Sequence, residues 1–154
     1  MSEKIITTNC LVCNDGKILL GLHKIGAGKG RWNGFGGKVH KYEFLEEAAR
    51  RELMEESGLL AEELELVGVM DFEYRGKDKL MEVNVFRVIK YVGIPSEGRE
   101  MKPEWFSISE IPYKDMWPDD EYWYPLFLQG KKFTGKFIFD GYNKIIEHSL
   151  TEIK

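Results

Sequence analysis

Between Gly37 and Leu59 the chain reads GKVHKYEFLEEAARRELMEESGL, and this stretch constrains the fold more than any other. Glu43 to Ser57 is helical in composition, with Gly58 placed as its C-terminal stop. On a wheel of about 100° per residue, Leu45, Ala48, Ala49 and Leu53 mark the side that faces a core. Glu52, Glu55 and Glu56 lie over that same side, within about 100° of one another. Glu46, Glu47, Arg50 and Arg51 take the opposite, wet side. Carboxylates at i, i+3 and i+4 repel one another, and no cation on that face offsets them. Half-burying them uncompensated would cost several kcal/mol per ion. A divalent cation removes that cost, and hard oxygen ligands suit Mg²⁺ or Mn²⁺. The plainer alternative is a solvated acidic face, weakened here because the outer face carries charges of its own.

The chain around this helix has the length of one domain, 154 residues. It shows no internal repeat, low-complexity tract or Pro/Gly/Ser linker. Strands are expected at residues 5–12 and 17–22 around the Asn14-Asp15-Gly16 turn, then at 64–74, 80–92, 104–108, 132–140 and 145–153. Residues 119–129 read as a second helix and 95–103 as a loop. The order predicts an α/β fold with a mixed sheet and helices packed on it. Twenty-two basic against twenty-six acidic residues give a net charge of −4, which argues against a binder of polymeric nucleic acid. Small nucleotides stay open, since a bound cation supplies positive charge locally. No apolar run approaches the ~20 residues that span a bilayer. Met1-Ser2-Glu3-Lys4 begins no signal-peptide pattern, so the expectation is a cytoplasmic protein, with a nuclear or mitochondrial fraction also compatible.

Two local patterns invite other chemistry. Cys10 and Cys13 form C-x-x-C, but His23, His40 and His148 are scattered and the pair lies in a strand pattern. Both thiols are expected reduced, half-buried and on opposite faces. Gly26 to Gly30, GAGKG, fails G-x4-G-K-[ST] because Gly30 follows Lys29. It reads as a flexible loop bordering a nucleotide site.

Gly37, Glu43, Arg51, Glu52, Leu53, Glu55, Glu56, Gly58 and Leu59 match the pattern G-x5-E-x7-R-E-U-x-E-E-x-G-U, U being aliphatic. By this match the chain resembles the Nudix hydrolases, as a single domain over residues 1–154 with its Nudix box at 37–59. The resemblance implies an α/β/α sandwich, a Mg²⁺ or Mn²⁺ cofactor, and hydrolysis of a diphosphate linked to another moiety. It implies Glu52, Glu55, Glu56 and the Gly36 carbonyl as metal ligands. Glu43 and Arg51 become the ion pair that orients the helix, and Glu100 an acid approaching the metals from a loop. Cations neutralise phosphate oxygens and lower the pKa of a bound water. Glu55, Glu56 and Glu100 are all candidates for the general base.

RWNGFGG (31–37) and PYKDMWPDDEYW (112–123) resemble the branch of the family that hydrolyses oxidised purine nucleoside triphosphates such as 8-oxo-dGTP and 2-hydroxy-dATP. Independently, Trp117 offers the largest aromatic face for a purine, and stacking contributes about 1–3 kcal/mol per base; a core tryptophan is the alternative. Asn33 can donate and accept at a base edge or simply shape its loop. Asp119 and Asp120 stand where a helix begins, so either could be an N-cap. In an apolar pocket, burial and mutual repulsion raise at least one of their pKa values, leaving a donor beside an acceptor. Thr8, Phe72, Met81, Val83, Met101 and Phe139 match pocket-lining positions of that branch. Where it commonly carries a lysine this chain has His23, and where it carries a phenylalanine this chain has Ala27. The expected enzyme is a monomer that sanitises the nucleotide pool, with a small nucleotide as substrate and no membrane or polymeric partner. A hydrolase of dinucleoside polyphosphates or nucleotide sugars, or a non-catalytic nucleotide-binding module, stands as the alternative.

Overall fold

The computed structural model describes residues 3–154, so Met1 and Ser2 of the N-terminal reading lie outside the described residues. Alternation of buried residues along β1 (Glu3–Asn14) explains the layering. Cys10 and Val12 point to one core with Leu19, Phe86, Ala49 and Leu53, while Leu11 points to another with Ile18, Val85, Trp123 and Phe127. Successive strand side chains alternate faces, so one strand feeds both. The first core lies under α1 (Leu45–Ser57), the second under α2 (Asp120–Leu128).

Around β1 run β2 (Lys17–His23), β3 (Trp32–Asn33), β4 (Leu60–Tyr74), β5 (Lys79–Val92), β6 (Met101–Ser107), β7 (Lys132–Asp140) and β8 (Lys144–Ile153). Among the described residues the sheet order is β3-β2-β1-β5-β4-β7-β8, with β6 on the other edge of β2. β1 pairs with β5, and β4 with β7, in parallel; the remaining ladders are antiparallel. This is the mixed sheet and sandwich that the sequence predicts.

The β1–β2 hairpin turns on Asp15 and Gly16, both at positive φ (51° and 73°) as a tight primed turn requires. Its ladder runs only from Asn14↔Lys17 to Val12↔Leu19 and then opens. Into the opening comes the segment after β3. Cys10 N–H donates to the Phe35 carbonyl (2.6 Å), and Thr8 N–H to that of Gly37 (2.9 Å). The segment from Phe35 to Lys38 is thereby laid alongside β1, on the edge that β2 leaves open.

Several boundaries differ from expectation. α1 starts at Leu45 rather than Glu43, because the Glu43 carboxylate is engaged with Arg51 and the His40 N–H. β4 starts at Leu60 rather than residue 64, register irregularities between Ala61 and Leu64 having blurred its alternation. β6 starts at Met101 and includes Pro103, tolerated because β6 pairs on one side only. Cys10 is fully buried rather than half-buried, and burial pushes its thiol up to about 12. Cys13 is half-buried against the opposite core, and both cysteines are free.

Candidate active site

α1 places its carboxylates unequally. Glu56 is buried, Glu52 is mostly covered, and the Glu55 side chain is 57% exposed rather than lying over the core side. Nor does Arg51 stay on the wet side: Nε and Nη2 fork onto Glu43 (2.7 and 3.0 Å). Nη1 reaches Glu52 (2.8 Å) and Glu55 (3.5 Å), and Nη2 also donates to the Lys38 carbonyl. A wheel places Cα atoms, whereas a guanidinium lies several bonds further out. Arg50 likewise bends inward, to the Ala61 carbonyl (3.1 Å). The Glu43 carboxyl is held down to about 2, first by its hydrogen bonds from Arg51. The acidic face is therefore partly offset, contrary to the sequence reading.

What Arg51 leaves uncompensated is Glu56. Its Oε1 accepts the Gly36 N–H (2.8 Å), yet burial, then the charge of Glu52, and further Glu100 and Glu55, push it up to about 8. The loop must come very close for this arrangement. A Cβ on Gly36 would stand 1.7 Å from the Thr8 carbonyl oxygen, and one on Gly37 2.7 Å from Glu52 Oε1. Among the described residues no three potential ligands are already drawn round one point. The donor set nevertheless fits a hard divalent cation: three carboxylates with backbone carbonyls beside them, one of the acids, Glu56, being raised by burial and then by neighbouring negative charge. Glu100 is exposed, in the segment before β6, near enough to act electrostatically on Glu56 and His23.

From Gly36 and Gly37 a cavity of about 280 Å³ opens between β1, β4, β5, β7 and the start of α2. Thr8, His23, Asn33, Phe72, Met81, Trp117, Asp119 and Asp120 all line it, as do Val83 and Phe139. Met101 does not: it is buried in the α1 core, where its side chain fills the space a Cβ on Gly21 would need. Ala27 is exposed and off the wall; Gly28 instead packs near His23 and Trp117. Burial lowers the pKa of His23, so it brings no fixed charge.

Asp119 holds the N-cap position of α2, yet its side chain makes no capping bond, and Asp120 is the first helical residue. Asp119 Oδ2 accepts the Trp123 Nε1–H (2.9 Å), and Asp120 Oδ2 the Trp117 N–H (3.2 Å). Both are at least 96% buried, with relative exposures of 4% and 2%. Burial raises Asp119 to about 6 and, joined by the charge of Asp119, raises Asp120 well above the usual carboxylate range. The pair holds a proton near neutral pH and presents a donor beside an acceptor. Trp117 is not core: the Arg31 guanidinium lies 4.1 Å from its ring centroid and the ring lines the cavity. Asn33 Oδ1 accepts the Gly34 N–H (2.8 Å), leaving its amide NH₂ to donate.

The sequence reading missed Asn9, Tyr74, Trp123 and Tyr142 on the wall, and Arg31 behind Trp117. Asn9 alone carried a signal, an amide inside an apolar strand. Its Oδ1 and Thr8 Oγ1 are buried with no hydrogen-bond partner, and buried polar atoms normally have one. They are what a bound polar molecule would satisfy.

A loop–helix element carrying glutamates beside a mixed-sheet sandwich defines a family, and the comparisons agree. Residues 3–127 match the NUDIX domain, and the chain belongs to the Nudix family, whose hydrolases generally work with a divalent cation, usually Mg²⁺. Among its relatives is the oxidized purine nucleoside triphosphate hydrolase of Danio rerio, 50% identical over 99% of this chain and 97% of that one. The mouse (Mus musculus) protein of the same name is 48% identical over 99% and 98%. The crystal structure of a MutT protein from Bacillus halodurans superposes with a TM-score of 0.83 at 23% identity, covering 95% of this chain and 97% of that one, which is a likeness of fold.

Proposed function

We propose that this chain hydrolyses oxidised purine nucleoside triphosphates to the monophosphate and pyrophosphate, clearing damaged precursors from the nucleotide pool. The observation that carries the reading is one cavity with two chemically distinct ends. A buried Asp119–Asp120 pair and Trp117 stand at one, and the Gly36–Gly37 backbone leading to Glu56 and Glu52 at the other. The names of the Danio rerio and mouse relatives support it. Glu52, Glu55, Glu56 and the Gly36 carbonyl would hold Mg²⁺ or Mn²⁺, with Glu100 as a further acid from the segment before β6. When bound, the cation supplies positive charge to the phosphate oxygens and acidifies a water.

The chain's own groups do the rest. Trp117 stacks the base, and the aspartate pair reads its edge with one donor and one acceptor. Moving the shared proton exchanges those roles, which suits oxidised guanine in one state and oxidised adenine in the other. Thr8 and Asn9 satisfy their orphaned oxygens on the nucleotide. Arg51 holds α1 to its entry loop through Glu43 and keeps Glu52 aimed inward. The oxygen of water adds to phosphorus, the bond to the bridging oxygen breaks, and the proton of water passes to a carboxylate. Glu56, fixed by the Gly36 N–H, suits a stationary ligand; Glu55 and Glu100, both exposed, are free to turn towards a water. The enzyme acts as a monomer on a small molecule in the cytoplasm. Among the described residues no helix is long and apolar enough to cross a membrane.

The test is product formation with Mg²⁺ from 8-oxo-dGTP, 2-hydroxy-dATP, dGTP, dATP and ADP-ribose, beside Glu56→Gln. Preference for the oxidised purines, abolished in the variant, is expected. Turnover chiefly of ADP-ribose would discard the base cavity while keeping the metal helix. No turnover of any substrate would favour a binding module.

A further inference from the structure

The wall of the cavity that the sequence did not reveal is an aromatic arc. Phe72 packs on Phe139 (ring centroids 5.2 Å apart), Phe139 on Tyr74 (5.4 Å), Tyr74 on Tyr142 (5.6 Å) and Tyr142 edge-on to Trp117 (6.4 Å). All five rings line the cavity. Three come from β4 and β7, and Trp117 from the segment before α2. Among the described residues Tyr142 alone joins the two groups, and it comes from the three-residue turn between β7 and β8, closed by Asp140↔Lys144 with Gly141 at φ 70°.

The same turn reaches Trp117 a second way. Asn143 Oδ1 accepts a hydrogen bond from Arg31 Nη2. Arg31 also donates to the Met116 carbonyl (3.2 Å), and its guanidinium lies flat enough over Trp117 for a 4.1 Å approach to the ring centroid. So Tyr142 meets the edge of Trp117, while Asn143, through Arg31, braces one of its faces. Tyr142 is itself held: Lys77 Nζ lies 5.2 Å from its ring centroid and donates to its hydroxyl at 3.5 Å. At 45% exposure this residue keeps nearly half of its surface open to solvent. A half-exposed tyrosine with aromatic edges on two sides is poised to gain contact area when a flat molecule enters.

We propose that the β7–β8 turn is a specificity element for the base, with Tyr142 forming the outer wall of the cavity and Asn143 acting as a positioning residue that sets Trp117 through Arg31. The inference rests on the reading of the cavity as the base site. The ligand class it recognises is a purine nucleotide, whose fused ring is wide enough to touch Trp117 with its face and Tyr142 with its edge. A ring contact of this kind is worth about 5- to 10-fold in affinity.

The experiment measures calorimetric binding of the product 8-oxo-dGMP in EDTA, so that the metal end contributes nothing, together with kcat and KM on 8-oxo-dGTP. Tyr142→Ala is expected to weaken binding and raise KM about 5- to 10-fold with kcat unchanged. Tyr142→Phe should recover most of the loss, because it keeps the ring and drops only the hydroxyl's hydrogen bond from Lys77. Tyr142→Leu, which keeps apolar bulk at the position, should not recover it. Asn143→Ala should raise Kd and KM less than Tyr142→Ala, again without a change in kcat. Wild-type binding by both Tyr142→Ala and Tyr142→Leu would overturn the inference and leave the base site standing. A wild-type protein that binds neither 8-oxo-dGMP nor dGMP would overturn both.

Discussion

The two ends of the cavity are built on opposite principles. The acidic end is local: Gly36, Gly37, Glu43, Arg51, Glu52, Glu55 and Glu56 lie within one loop and one helix, and most of their contacts are with one another. The base end is dispersed, with walls from β1, β2, β4, β5, β7, the segment before α2 and the turn between β7 and β8. Local construction protects the chemistry, since its geometry rests chiefly on one helix and its entry loop, with Thr8 of β1 as their support. Dispersed construction lets each wall residue vary without disturbing the helix. The replacement His23 falls at this second end.

The comparison breaks first at Gly36. Gly36→Ala would drive a Cβ into the Thr8 backbone, which serves both ends. Activity should fall on the order of 10³-fold, a loss of about 4 kcal/mol at 1.4 kcal/mol per decade, and 8-oxo-dGMP binding should fall with it. Gly37→Ala meets only the carboxylate end of Glu52 rather than backbone, so kcat should drop about tenfold while base binding survives. Steady-state kinetics beside calorimetry distinguish the two. Equal loss of base binding in both variants would mean that the ends are not separable. Trp117→Ala comes next, and should raise KM about 10- to 100-fold with kcat little changed.

Asp119→Asn gives a smaller effect, on stability. Folding raises this carboxyl from 3.8 to about 6, so the native state binds the extra proton between those values. Its contribution is present below the lower value and is lost as pH rises through the upper one. The variant should therefore melt several degrees above wild type at pH 7.5, and the gap should close towards pH 4. A pH-independent gap would remove the raised pKa from the account. Smallest of all, Ala27→Phe should change KM no more than about twofold, because residue 27 is exposed and off the cavity wall.

Legibility in the sequence followed the same division. The helix, its glycine stop and its acid spacing could be read because their partners lie within a few turns of chain. The inward reach of Arg51 could not, since periodicity fixes where a residue starts and not where a long side chain ends. Trp117, Asp119 and Asp120 stood out through the resemblance carried by residues 112–123, with residue types that suit a purine. Tyr142 and Asn143 gave no signal, because nothing in a short turn states which ring it will lie beside. Met101 read as a wall residue but fills the space above Gly21, a contact set by the β2–β6 register.

Thr8 is where the two ends meet. Its side chain faces the base cavity, its carbonyl bears on Gly36, and Gly36 holds Glu56. Because one residue of β1 anchors both, the span from base to carboxylates is fixed by covalent geometry and sheet pairing rather than by a hinge. The site then works as a ruler. On the proposed reading, a nucleotide seated by its base would present one particular phosphorus to the acids, so that length selects the severed bond before any chemistry begins.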